Sequence, residues 1–261
     1  MRFTRYNGAK NLHLANIIRG LDVTKYCEPF GGSFQSGLNL MSDGILVDYK
    51  YNDLDKDLVN MWKCYQSDSG LFVKTVCDII DSLSSYIYSP DDMLFHLTEL
   101  YNTGDLFVKA SVKYIIIQAK RLKQSFNFSM RSEDVKNVLE NVMFLPIMVK
   151  SIEFSNLGYA DFIDKHDSPT TFFFLDPPYY QWSSNSYYDI DCEYFYHKAL
   201  MQKLRDVKGK WLLTYNDCDY IRTLYNNFNI YHRVKKMLSS VYGELYISNF
   251  DINEEDLISC W

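Results

Sequence analysis

The sequence predicts an α/β protein: a mostly parallel sheet with an antiparallel last strand, interrupted by a helical insertion. Three observations predict it. Short apolar runs at 26–30, 45–47 and 172–175 each end at Gly, Asp or Pro, as buried strands do. Between residues 56 and 149 the spacing becomes helical, with little alternation. After 150 the α/β pattern returns, and it closes on alternating segments suited to an antiparallel pair.

Taken in order, residues 11–20 carry helical spacing at Leu12, Ala15, Ile17 and Ile18. Residues 26–30 read as a strand running into Gly31-Gly32, and 33–41 as the helix after it. Ile45-Leu46-Val47 reads as a second strand ending near Asn52-Asp53. Segments 57–66, 71–86, 90–102 and 107–123 read as helices. Then come a strand at 152–154, a short element at 159–165 and the central strand at 172–175. A helix at 194–207, a strand at 210–215 and a helix at 220–227 follow. Residues 230–237 and 244–250 form a closing hairpin, with Val241-Tyr242-Gly243 as its turn. The expected division is a sheet domain of 1–55 and 150–261 around an insertion of 56–149.

A chain of 261 residues suits one large domain with a sizeable insertion. Apolar residues at 47 % and charged residues at 23 % are ordinary for a globular protein. The net charge of −6 counts against a non-specific polyanion binder. Charge is nevertheless unevenly spread: Lys109, Lys113, Lys120, Arg121, Lys123, Arg131 and Lys136 crowd one stretch. Six cysteines show neither a C-x-x-C pair nor zinc spacing, so no metal site is expected. No signal peptide and no apolar run near membrane-spanning length is present, which points to reduced thiols in the cytoplasm.

Asp176-Pro177-Pro178-Tyr179 is the strongest chemical signal. It ends the central strand, where ligands collect in open α/β sheets. The prolines lack N–H donors and cannot continue a ladder. An exocyclic amine on a nucleobase is a poor nucleophile, because its lone pair is delocalised into the ring. A carboxylate and a carbonyl held rigidly by proline can accept its two protons and free that lone pair. The adjoining aromatic ring can stack on a base taken out of its helix. The bland reading is a strand-ending turn with a capping Asp.

Glu28-Pro29-Phe30-Gly31-Gly32-Ser33 is the second signal. Glycines after a strand let backbone approach a ligand and start a helix, although a plain tight turn has the same look. Asp53 lies about 20 residues on, at the end of the next strand, where a carboxylate can bind ribose hydroxyls. Together they point to a nucleoside-containing cofactor. Arg5-Tyr6-Asn7-Gly8-Ala9-Lys10 leads into the first helix, and by itself reads as an ordinary loop with an exposed lysine. Ser155 to Asp161, SNLGYAD, offers Tyr159 to stack on a purine and Asp161 to accept from its amine; alone it reads as a loop with a packing tyrosine.

In this order the four patterns resemble the Dam-type (α group, D12 class) DNA adenine-N6 methyltransferases of bacteria and phages. The resemblance spans most of the chain, since LLTYND at 212–217 and GELYISN at 243–249 look like the late strands of that fold. It implies a Rossmann-like S-adenosylmethionine-dependent methyltransferase sheet and a helical target-recognition insertion that binds double-stranded DNA. It implies S-adenosylmethionine as cofactor, with Tyr6, Lys10, Glu28, Phe30, Gly31, Gly32, Ser33, Asp53, Tyr159, Asp161 and Asp176 around it. Asp176, Pro177, Pro178 and Tyr179 would be catalytic on a flipped adenine. Lys120, Arg121, Lys123, Asn127 and Arg131 would meet DNA. No metal and no membrane are implied, and a monomer or weak dimer on DNA is expected.

One segment departs from the family. KRLKQSFNFSMRSEDVKN, residues 120–137, stands where GATC-reading members carry a glycine- and proline-containing hairpin. It keeps Phe126-Asn127 and basic residues, of which Lys120, Arg121, Lys123 and Arg131 can grip phosphates without reading sequence. GATC specificity is therefore not implied, and neither is a restriction partner. Two rival readings remain: a cytosine-N4 or RNA-adenine amino-methyltransferase, and a catalytically silent DNA-binding homologue.

Overall fold

A computed structural model of the chain describes residues 14–84, 90–120, 146–180, 197–237 and 240–258. It divides into two compact units: residues 1–10 with 55–154, and residues 11–54 with 155–261.

The second unit is built on the sheet. Its elements are α1 (Ala15–Arg19), β1 (Lys25–Glu28), α2 (Gln35–Ser42), β2 (Asp48–Asn52), α8 (Tyr159–His166), β4 (Thr171–Leu175), α9 (His197–Arg205), β5 (Lys210–Asn216), α10 (Asp219–Leu224), β6 (Asn229–Met237), β7 (Ser240–Ser248) and α11 (Glu254–Ile258). A further strand, β3 (Glu153–Ser155), lies where the chain passes from one unit to the other. The sheet has seven strands in the order β3-β2-β1-β4-β5-β7-β6. β1 runs parallel to β2 and β4, and β4 parallel to β5. β7 is antiparallel to both β5 and β6.

All five residues of β4 are buried, as a central strand with both faces covered requires. On one face Phe173, Leu175, Leu213 and Tyr215 pack with Phe162 and Ile163 of α8, Leu200 and Leu204 of α9 and Ile221 of α10. On the other, Tyr26 stacks on Phe172 at 6.1 Å, and Phe34 meets Tyr49 and Tyr51 edge-on. The fold is thus the Rossmann-like methyltransferase sheet with an antiparallel strand in its closing hairpin that the sequence predicts, β7 running against both β5 and β6.

Two details differ from the sequence reading. Ile45-Leu46-Val47 is not strand; β2 begins at Asp48, and Leu46 is 96 % exposed. Alternation outweighed the apolar run: Tyr49 and Tyr51 face the core, and their hydroxyls donate to Ile45 O at 2.7 Å and Gly32 O at 3.0 Å. The hairpin turn does not fall at 241–243 either. Those residues belong to β7, where Gly243 pairs with Val234 and Ser240 with Met237. Gly243 marks a close approach, not a turn: a Cβ there would come within 2.8 Å of Asp217 Cβ and His232 Nε2.

The first unit is helical: α3 (Lys56–Ser67), α4 (Ser69–Ser84), α5 (Pro90–Thr103), α6 (Leu106–Lys120) and α7 (Pro146–Val149). Asp55 caps α3, its Oδ1 accepting from the Asp57 and Leu58 N–H groups at 3.0 and 3.1 Å. Its other oxygen pairs with Lys113 Nζ at 2.6 Å. Lys113 is buried, so a side chain that reads as part of a basic cluster serves instead to join α6 to the start of α3. Lys109 lies over the Tyr101 ring. Trp62 stacks on Phe154 at 5.7 Å, and Gln66 Nε2 donates to Val149 O and Ile152 O, tying the returning chain to α3.

Candidate active site

Parallel pairing sets the carboxyl ends of β1, β4 and β5 along one edge of the sheet. Glu28 ends β1, Asp176 follows β4, and Asn216 ends β5. Because β7 is antiparallel, Glu244, its first residue paired with β5, comes to the same edge, opposite Asn216. Leu175 pairs with Leu213, so Asp176 emerges beside Thr214, whose hydroxyl donates to Asp176 Oδ1 at 2.6 Å. Tyr179 Oη donates to Glu244 Oε1 at 2.7 Å, and Tyr246 Oη to Oε2 at 2.5 Å. Burial pushes the Tyr179 phenol well above its usual range, and the nearby Asp176 and Glu244 carboxyls add to this. Glu28 accepts from Tyr26 Oη at 2.7 Å and Gly37 N at 2.9 Å. Burial still pushes it up to about 8, with the charge of Asp176 adding to the effect. At neutral pH Glu28 is therefore mostly a neutral acid beside Asp176.

The glycine loop sits next to this cluster. Gly31 N donates to Asn52 O at 2.7 Å, and Gly32 N to Asp53 Oδ2 at 2.9 Å. Gly32 has φ 48°, a left-handed conformation that suits glycine. The space beside Gly31 is filled by the Tyr51 ring: a Cβ would lie 2.2 Å from Tyr51 Cε2. Asn52 holds two loops together, donating to Pro29 O at 3.0 Å and Leu157 O at 2.9 Å and accepting from Leu157 N at 2.8 Å. That brings Phe30 and Tyr159 together, with ring centroids 5.5 Å apart. Both rings are half-buried. Asp161 lies in the first turn of α8, its carboxyl near the helix start at Gly158, where the dipole favours negative charge. Ser33 is buried.

Residues 6–238 match the family model described as D12 class N6 adenine-specific DNA methyltransferase. The chain belongs to this family. It is an S-adenosylmethionine-dependent DNA adenine methyltransferase. Among solved structures, a protein described as the putative methyltransferase yhhF from Escherichia coli aligns over 90 % of this chain and 81 % of its own, at 12 % identity and a TM-score of 0.38. No curated protein matches the sequence.

The donor set of this methyltransferase fits its cofactor. A purine nucleoside with a cationic chain calls for aromatic faces, a carboxylate at the end of the second strand and close backbone. Phe30 with Tyr159, Asp53 and the Gly31-Gly32 loop are such groups, held together by Asn52. Glu28, Phe30, Gly31, Gly32, Ser33, Asp53, Tyr159, Asp161, Asp176, Pro177, Pro178 and Tyr179 all fall within the sheet unit. Tyr6, Lys10, Arg121, Lys123, Asn127 and Arg131 lie outside the described residues, and Lys120 is described only as the last residue of α6.

Sequence reasoning missed the side chains that support the tetrapeptide. Thr214, Glu244 and Tyr246 sit in segments read only as late strands. Their signal was a polar residue at a buried position: Thr214 and Glu244 are 0 % and 1 % exposed. A second group surrounds Tyr180. Its ring stacks on Tyr220 at 4.3 Å, and its carbonyl accepts from Asn216 Nδ2 at 3.1 Å. His197 Nδ1 lies 2.6 Å from Tyr215 Oη, and burial lowers the His197 pKa. Among the described residues no group of His, Cys, Asp and Glu is placed to hold a metal ion, and no helix is long and apolar enough to cross a membrane.

Proposed function

We propose that this methyltransferase acts at specific sites in double-stranded DNA and methylates N6 of an adenine extruded from the helix. Bound S-adenosylmethionine supplies a methyl group already activated by the positive sulfonium. The chain's residues have the remaining work of positioning and electrostatics. Asp176 and the Pro177 carbonyl accept the two amino protons of the adenine, turning its nitrogen lone pair towards the methyl group. Proline's locked φ fixes the carbonyl's direction. Tyr179 stacks on the base. Glu28, Phe30, Gly31, Gly32 and Ser33 line the methionine part of the cofactor, with Tyr6 and Lys10 completing it. Asp53 takes the ribose hydroxyls, and Tyr159 with Asp161 the adenine ring. Asp176 faces both the amine and the methionine end. The helical unit recognises the target, with Lys120, Arg121, Lys123, Asn127 and Arg131 on the DNA.

The observation that carries this reading is Asp176 at the end of the central strand, oriented by Thr214 and flanked by a mostly neutral Glu28. A neutral Glu28 leaves Asp176 without a like charge on that side, which suits an acceptor for the protons of an amine. The test is Asp176→Ala in single-turnover methylation of DNA from a methylation-free host. Loss of at least about 100-fold is expected, by comparison with removal of one preorganised polar group from other active sites. The melting temperature should hold. Near-wild-type turnover would remove Asp176 from the chemistry. Mapping the methylated bases of the wild-type product identifies adenine against cytosine and gives the target sequence.

A further inference from the structure

Glu244 is 1 % exposed, and its two oxygens each accept from a tyrosine: Tyr179 on Oε1 and Tyr246 on Oε2. Burying a carboxyl is costly unless its hydrogen bonds are satisfied, so an apolar side chain would serve packing better here. Its place in the sheet suggests why it is there. Across the β5–β7 ladder, Thr214 stands opposite Tyr246 and Asn216 opposite Glu244. Thr214 holds Asp176, the first residue of the tetrapeptide, and Glu244 holds Tyr179, the last. One strand pair therefore grips both ends of Asp-Pro-Pro-Tyr. The prolines between them stiffen the backbone but set neither χ1 nor χ2 of Tyr179, whose ring packs against Tyr215 at 5.8 Å. A hydrogen bond at the far tip of that ring adds a direction that packing on one side does not supply.

We propose that Glu244 is a positioning residue for the transfer reaction: it tethers the Tyr179 hydroxyl so that the ring presents one fixed face to the target base. This rests on the reading that Tyr179 stacks on that base. Glu244 acts through Tyr179 alone and has no part in holding the cofactor. The Tyr179 hydroxyl is then required for orientation, not for stacking area.

The test compares Tyr179→Phe, Glu244→Ala, Glu244→Gln and the double variant Tyr179→Phe/Glu244→Ala in the full chain. Readouts are steady-state methylation of unmethylated double-stranded DNA, calorimetric binding of S-adenosylmethionine, thermal melting and the tyrosine Cζ NMR signals of ¹³C-labelled protein. Tyr179→Phe and Glu244→Ala should each lower kcat by up to about tenfold, as loss of one hydrogen bond does. The KM for the cofactor should stay unchanged, and the double variant should be no worse than Glu244→Ala alone. Glu244→Gln keeps an acceptor and should recover most of the rate, while shifting the Tyr179 Cζ signal.

Full activity in Tyr179→Phe overturns the proposal, and that variant decides the matter even if Glu244→Ala fails to fold. Additive losses, or weakened cofactor binding in Glu244→Gln, would show a merely structural role and overturn it too. A wild-type protein that methylates nothing defeats the base-stacking reading instead. The Cζ signal then still reports the tether, and an unmoved signal in Glu244→Gln refutes it.

Discussion

The Glu28 carboxyl accepts hydrogen bonds from Tyr26 and Gly37, yet burial pushes its pKa from the ordinary 4.5 up to about 8. The folded chain therefore keeps a proton that the unfolded chain gives up. The stability this group contributes is fully present below about pH 4.5 and is lost as pH rises through about 8. Glu28→Gln removes the titration and keeps the shape. The wild-type melting temperature should fall relative to that variant across this window, and scanning calorimetry at a series of pH values measures the difference. Parallel curves would mean that Glu28 is ionised throughout. The same residue scale shows what sequence can and cannot tell. Asp176 and Tyr179 are legible because their chemistry is packed into four neighbouring residues. Glu244 is not, because its partners come from strand register: Tyr179 lies in a loop 65 positions away.

The element that most constrains the site is the loop from β1 to α2. Its two glycines answer to different demands. Gly32 occupies left-handed backbone at φ 48°, where a side chain costs on the order of 1–2 kcal/mol. Gly31 faces the Tyr51 ring, and a Cβ 2.2 Å from it forces the ring or the loop to move. The Tyr51 hydroxyl is itself bonded to Gly32 O, so the ring is poorly placed to yield. Gly31→Ala should cost about 1–3 kcal/mol as an overpacked core does, and should weaken cofactor binding by displacing Gly32 from Asp53. Chemical denaturation and calorimetry check both effects. A Gly31→Ala protein with unchanged stability and affinity would show that Tyr51 gives way freely. The sequence signalled a glycine turn after a strand, but the reason for Gly31 lies in a tyrosine of the next strand. β2 itself was hard to see for a related reason. Its core-facing residues are tyrosines among Asp48, Lys50 and Asn52, and the greasier Ile45-Leu46-Val47 drew attention away from them.

At the scale of the whole chain, the sheet unit is interrupted but its broken ends adjoin. Asp53 N donates to Ser155 O at 3.3 Å, and Asn156 Nδ2 donates to Asp53 O at 2.7 Å and Leu54 O at 2.9 Å. The chain thus leaves the sheet unit and returns to it at one point. Closing that gap with a short linker costs little in chain entropy, because closure depends only weakly on length. Replacing residues 56–150 by about four Gly and Ser residues should therefore leave a folded sheet unit. Phe154 loses its Trp62 neighbour in that change, so Phe154→Thr is added to avoid a new apolar surface. Glu28, Asp53, Tyr159, Asp176 and Tyr179 all remain, and calorimetry should still detect S-adenosylmethionine binding. Retention of double-stranded DNA in a gel-shift should vanish, and methylation with it, if the helical unit carries the recognition. A shortened chain that binds cofactor and still methylates DNA would move target recognition into the sheet unit. One that does not fold would show that the sheet unit needs the replaced residues to fold.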